Sequence, residues 1–418
     1  MVRIESFLSD RGTTMMFPYH GVLGQAAEAR GKHFDATIGI ALEDDRTPMR
    51  LQCDDCSVTF DPKEVYPYAP GFGVKKLRES WMNFLREKNP SLQSRTSVPV
   101  VTSGLTQALS VAGYLFLDAG DEVIIPEQYW DNYEMIFEQM YGACLRFFNT
   151  FKGDGFDTNA LANVLKQVTG ERAIVLLNFP NNPTGYTVTK KEANDIVRIL
   201  QKAAERRPLI VLIDDAYFGL VYEEGIYTES LFARLANLHE NLLAVKIDGA
   251  TKEDFVWGHR VGFITFSRKG MTEEEATVLA DKAAGVVRAT VSNAPHISQS
   301  WLTHLYATAS YNAQKRKKFE ILKGRYQKVK EVLQNKKYKT VFHALPFNSG
   351  YFMCLELGAG LDAESVRKLL LEKFDTGVIA IGDRMLRIAY SSVPEGEIEQ
   401  VFENIYQACI SLRVLQHA

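Results

Sequence analysis

The sequence predicts an α/β protein: a large unit with a mainly parallel sheet flanked by helices, and a smaller α/β unit completed by the end of the chain. Three observations predict it. Between Val98 and Phe266, short apolar runs alternate with amphipathic stretches, the pattern of strands covered on both faces by crossover helices. A long helical region, roughly residues 298–336, then precedes a second set of strands and a last helix. Finally, 418 residues with 46% hydrophobic and 24% charged side chains suffice for one large core and a smaller one. The expected division is an N-terminal arm with part of the small unit (1–65), the large unit (66–309) and the small unit (310–418), joined by the long helix.

The elements follow in order. A short helix is expected from Val22 to Ala29, then an extended segment, ATIGIALEDD, centred on Gly39. A glycine there lets backbone approach a ligand or makes a strand bulge. The tract from Tyr66 to Gly73 is broken by prolines and glycines, and a helix follows from Val74 to Glu87. The strands VPVVT, DEVIIPE, LRFFN, AIVLLNFP and LIVLIDDAY are each followed by a helical stretch, beginning near Leu105, Trp130, Thr158, Lys190 and Leu231. LLAVKID and VGFITF close the series, with Arg260 opening the latter; YFMCLEL, VIAIG, MLRIAYS and a helix from Glu395 to Leu415 make the second unit. Ligands of parallel sheets sit beyond the carboxyl ends of the strands. Gly104, Thr106, Trp130, Asn182, Asp214, Tyr217 and Lys252 all follow strands or end them.

Composition narrows the function classes. A formal net charge of −3 suggests no nucleic-acid or anionic-membrane partner, and the basic run Lys315–Lys330 carries interleaved acids at helical spacing, as a solvated face does. No apolar run spans a bilayer and the start carries charges where a signal peptide needs an apolar segment, so a cytoplasmic location is expected. Five cysteines without a disulfide framework fit a reducing compartment. Cys53 and Cys56 form a CxxC, but with two acids inside it and no second pair they read as ordinary thiols, and no metal site is expected.

The stretch from Val245 to Phe263 carries the chemistry. Lys252 sits in a small-residue turn between apolar segments, and Arg260 lies eight residues on. Partial desolvation disfavours the charged form of a lysine and leaves a nucleophilic amine, which Schiff-base chemistry requires. An arginine beside it offers a planar fork of donors to a phosphate. An aldehyde-reactive amine with a phosphate clamp suggests pyridoxal phosphate (PLP).

With Asn-Pro-Thr-Gly at 182–185, Asp-Asp-Ala-Tyr at 214–217 and the Lys252/Arg260 spacing in this order, the chain resembles the fold type I PLP-dependent enzymes of the aspartate aminotransferase superfamily over nearly its whole length. The resemblance implies that Lys252 forms the Schiff base and shuttles a proton, Asp214 pairs with the pyridine nitrogen, and Tyr217 and Asn182 donate to the phenolic oxygen. It implies that Trp130 stacks on the ring and that the Gly104 and Leu105 amides, the Thr106 hydroxyl and Arg260 hold the phosphate at a helix N-terminus. Three residues before the lysine the family commonly has serine, where this chain has Gly249. Arg387 matches the arginine that takes the α-carboxylate, Gly39 a backbone contact to the same group, and Tyr68 a tyrosine reaching a neighbouring subunit's phosphate, which implies a homodimer. Arg288, in RATVSNAP, matches the arginine that reads a distal carboxylate across the interface, or else sits on a helix end and pairs with a surface acid. The implied reaction moves an amino group between an L-amino acid, with aspartate or glutamate as the expected class, and a 2-oxo acid. A C-S lyase, a decarboxylase, an aromatic aminotransferase or a PLP-binding sensor would share the same cofactor residues.

Overall fold

The structure is a computed structural model that describes residues 4–19, 21–53 and 59–417. Helix α1 (Val22–Glu28) and α2 (Lys75–Lys88) precede the first sheet. Strand β1 (Val100–Thr102) runs into α3 (Leu105–Phe116), and β2 (Glu122–Pro126) and β3 (Cys144–Phe148) precede α4 (Thr158–Lys166). Then come β4 (Ala173–Asn178), α5 (Lys190–Ala204), β5 (Leu209–Asp214), β6 (Leu242–Gly249) and the single turn α6 (Ala250–Glu253). Strand β7 (Gly262–Arg268) leads to α7 (Glu273–Val291), α8 (His296–Tyr306) and α9 (Tyr311–Val332).

These seven strands form one sheet in the order β1-β7-β6-β5-β4-β2-β3. Only β7 runs antiparallel to its neighbours; the other pairs are parallel. Every residue of β4 and β5 is buried, as continuous apolar runs between two helical layers require. The helices start where the sequence supplies caps: Thr189 and Glu192 bond reciprocally at the head of α5, and Thr272 and Glu275 do so at α7.

The second sheet is antiparallel, with β8 (Phe342–Ala344), β9 (Met353–Leu357), β10 (Ile379–Ile381) and β11 (Met385–Ile388) in the order β8-β9-β11-β10. Helices α10 (Ala363–Lys373) and α11 (Ile398–His417) complete it. The arm packs here: Phe34–Asp35 pairs in parallel with Thr376–Gly377, and the Gln25 side chain accepts from the Ala380 N–H and donates to its carbonyl. No helix among the described residues is long and apolar enough to cross a membrane.

Four local expectations change. The long helical region is two helices, α8 and α9, separated by residues 307–310. The helix after β2 begins at Glu134 rather than Trp130, as one wide helical segment to Met140. The segment around Gly39 forms no regular strand, so that glycine is not a bulge. Arg260 does not open β7; it ends a short turn in the left-handed conformation, φ 54°, two residues before the strand. Cys56 lies outside the described residues.

Candidate active site

The carboxyl ends of β4, β5 and β6 carry the site. Asn178 and Asp214 are cross-strand neighbours, and Gly249 faces Gly262 in the β6–β7 ladder. The strands close tightly because three glycines meet there. A Cβ on Gly262 would come within 2.6 Å of the Gly104 carbonyl carbon, and one on Gly249 within 2.7 Å of the Val261 carbonyl oxygen. Gly104 itself, at φ +80°, lies against Arg260, whose Nη2 would be 2.5 Å from any Cβ. A side chain at Gly249, such as the serine of the family pattern, would meet the Val261 backbone.

Lys252, on α6, is part-buried, with its amine 5.2 Å from the Tyr217 ring centroid. Burial pulls its pKa down to about 8; Asp214 opposes that shift and Arg260 adds to it. A second lysine in the same stretch, Lys246, is more deeply buried but spent: it pairs with Asp215 and, at 3.2 Å, with Asp248. Burial lowers its pKa and the two carboxylates more than reverse this, so it stays charged. Only Lys252 has the character of a nucleophile.

Asp214 is almost fully buried and accepts from the Tyr133 hydroxyl at 2.7 Å and from the Ala216 N–H at 3.0 Å. Burial raises its pKa, against the Tyr133 bond and the charge of Lys252. Tyr217 packs edge-on against Tyr351 and Phe352, and burial raises its hydroxyl's pKa, keeping it a donor. The place of a Gly39 Cβ lies 4.0 Å from that hydroxyl.

Arg387, on β11, comes to the same place from the other sheet. It is 3% exposed, yet among the described residues it donates only to the Asn182 Oδ1 at 3.2 Å and the Thr37 carbonyl at 2.9 Å, and its Nε finds no partner there. Phe352 lies beneath its guanidinium, 4.4 Å from the centroid. Asn182 is held by the Asn178 side chain, which accepts from its N–H at 2.8 Å. Trp130 stands edge-to-face on Tyr133 and, with Asn182 and Arg387, lines a cavity of about 600 Å³ between the two sheets and α1.

Leu105 and Thr106 open α3 beside Arg260, where first-turn N–H groups lack helical acceptors. Tyr68 is 88% exposed, and Arg288 lies exposed in the last turn of α7 with no acid partner among the described residues, so neither enters this chain's own cavity. Sequence reasoning missed Tyr133, Asn178 and Phe352. Tyr133 follows Trp130 by three residues and Asn178 ends a buried strand as Asp214 does, but a polar residue at a strand end is legible only when its neighbour is known.

Arg260 and Arg387 have no carboxylate within ion-pair distance among the described residues; Arg387 is buried, where an unpaired guanidinium calls for an anion, and Arg260 lies open beside Gly104, free to meet one. A phosphate at Gly104, Thr106 and Arg260 and a carboxylate at Arg387 meet that need, so these residues fit PLP and an amino acid.

This architecture is that of the fold type I PLP-dependent transferases. Residues 59–405 match the family described as aminotransferase class I and II, and the chain belongs to that family. It is similar to an aspartate aminotransferase of Thermotoga maritima, 31% identical over 60% of this chain and 63% of that protein. It is also similar to one of Pyrococcus horikoshii, 26% identical over 87% of this chain and 88% of that protein. The fold matches an aminotransferase from Anaerococcus prevotii with TM-score 0.85 at 23% identity, over 96% of this chain and 99% of that one. It also matches the α-aminoadipate aminotransferase LysN of Thermus thermophilus, solved with N-(5′-phosphopyridoxyl)-L-leucine, with TM-score 0.76 at 18% identity over 99% and 100% of the two chains.

Proposed function

We infer that the protein transfers the amino group of an L-amino acid to a 2-oxo acid, working as a homodimer with a Lys252-bound PLP. The observation that carries this reading is a Lys252 amine that feels Asp214 and Arg260, with Arg387 brought to Asn182 from the other sheet and without a carboxylate in ion-pair distance among the described residues. PLP, when bound, supplies an electron sink for the pair left at the substrate α-carbon. Arg387 takes the α-carboxylate, with Asn182 fixing its fork and Phe352 excluding water beneath it. Gly39 leaves space for the same carboxylate. Asp214, held by the Tyr133 hydroxyl, would be the carboxylate that pairs with the ring nitrogen. Tyr217 and Asn182 would donate to the phenolic oxygen, and Trp130 would cover the ring face. Near neutral pH a fraction of Lys252 is free amine, which could hold a proton taken from the substrate α-carbon.

Aspartate or glutamate is the substrate class this reading favours. Arg288 is exposed and acid-free, available to a neighbouring subunit's cavity, and Tyr68 stands equally exposed for that subunit's phosphate. The test is the visible spectrum of the PLP-loaded protein titrated with single amino acids. Bleaching fastest with aspartate or glutamate, recovered by a 2-oxo acid and lost in Arg288→Ala, is the expected result. Preference for an aromatic or for alanine would remove Arg288 from the reading. Release of pyruvate with ammonia, or of CO₂, would replace transamination by a lyase or decarboxylase.

A further inference from the structure

The two residues after Lys252 are buried acids that the reaction does not use. Glu253 is 8% exposed and Asp254 is fully buried. Glu253 pairs with Lys88, at the end of α2, and with Lys315, in the first turns of α9, at 3.0 Å. Asp254 accepts from the Tyr306 hydroxyl at 2.8 Å and the Tyr311 hydroxyl at 2.6 Å, and pairs with Lys315 at 3.1 Å. Lys315 also bonds Tyr311, at 3.2 Å, so the set is one continuous network of two acids, two lysines and two phenols. Burial would push the Glu253 carboxyl up, but Lys315 and Lys88 outweigh it and hold it down at about 2.

An apolar cluster of the same shape is usually at least as stabilising as buried charge, so such a network is better understood as specifying geometry. What it specifies is the turn α6. Four helical residues cannot hold themselves, and the chain leaves α6 through Phe255 in the unfavourable left-handed region, φ 57°. Outside the network, the Lys252 carbonyl accepts from the Tyr351 hydroxyl at 3.0 Å, from the loop before β9. The groups facing the Lys252 amine itself are Asp214, Arg260 and the Tyr217 ring.

We propose that Glu253 and Asp254 are positioning residues for the Lys252 amine: through Lys88, Tyr306, Tyr311 and Lys315 they clamp α6 to α2, α8 and α9 and keep the amine against Asp214 and away from bulk water. This rests on the reading of Lys252 as the reactive amine. Loss of the clamp lets water reach the amine, which then behaves as an ordinary lysine.

The test is competitive acetylation of the cofactor-free protein across pH 6–11 (roughly the range in which amines titrate), with Lys252 read by peptide mass spectrometry against the exposed Lys75. In the native protein the Lys252 midpoint should lie well below the ordinary lysine value. Lys315→Met should raise it by about one unit, leaving roughly tenfold less free amine at neutral pH, while Lys315→Arg, which can still bridge both acids, keeps the native midpoint. Should Lys315→Met fail to fold, Tyr311→Phe, which removes one hydroxyl from Asp254, carries the test with a smaller shift in the same direction. A native midpoint at the ordinary lysine value, or an unmoved midpoint in the folded variants, overturns the proposal. Because no cofactor is present, failure of transamination would show in the spectral titration and leave this readout untouched.

Discussion

Putting a side chain at Gly249 asks whether strand packing or phosphate chemistry governs that position. The backbone there is extended, φ 169°, so any residue could adopt it. Space is the obstacle: a Cβ would stand 2.7 Å from the Val261 carbonyl oxygen, 2.8 Å from the Gly262 Cα and 2.9 Å from Leu105 Cδ1. The first two are backbone atoms at the head of β7 and cannot rotate away, and moving β7 is blocked because Gly262 already lies against Gly104 and Leu105. Overpacking of this kind costs about 1–3 kcal/mol. Both Gly249→Ala and Gly249→Ser should lose about 2 kcal/mol, which at an m-value of roughly 3 kcal/mol/M lowers the urea midpoint by about 0.7 M. Cofactor affinity, measured by absorbance titration, should fall with it, because relief displaces Gly104 and Arg260. A Gly249→Ser protein with an unchanged midpoint and tighter PLP binding would refute this reasoning and show that the glycine is an expendable loss of a phosphate ligand.

Three further outcomes are expected. The Lys252 pKa of about 8 lies below the ordinary 10.5, so the folded state gives up stability below about pH 8 and recovers it as pH rises from there towards 10.5. Lys252→Met should accordingly stabilise the cofactor-free protein at neutral pH, by at most about 3 kcal/mol, with the gain gone in urea melts near pH 10.5. Tyr133→Phe removes the hydroxyl bond to buried Asp214, which should push that carboxyl's pKa further up, weaken PLP binding, and cost about 1–2 kcal/mol of unfolding free energy; unchanged PLP affinity would count against Asp214 as its anchor. Arg387→Lys cannot keep both the Thr37 and Asn182 bonds and the contact with Phe352. It should raise KM by roughly 30- to 100-fold, the equivalent of about 2–3 kcal/mol, for every amino acid tested, and a KM rise confined to aspartate and glutamate would instead make Arg387 a side-chain ligand.

Much of the fold was legible because its signals are local. Apolar runs such as Ala173–Asn178 and Leu209–Asp214 announce buried strands, Thr189 with Glu192 announces a helix start, Asp214 ends a strand, and Asn182 and Lys252 follow strands. The errors are local too: residues 307–310 contain no proline or glycine to mark the break between α8 and α9, and Arg260 resembles a strand opening because only its positive φ distinguishes it.

The sequence by itself determined the layered α/β architecture, the family and the residue types at the site, since these depend on periodicity and on short motifs. Tertiary structure decided which lysine is free. Lys246 and Lys252 look alike in the chain, and only the placement of Asp215 and Asp248 around one, and of Asp214 near the other, separates a locked cation from a dehydrated amine. It likewise decided that a side chain at Gly249 would meet the β7 backbone, that Tyr133 supports Asp214, and that Glu253 and Asp254 bind α6 to three helices. Desolvation and close approach are set by neighbours tens or hundreds of residues away, and no local pattern encodes them.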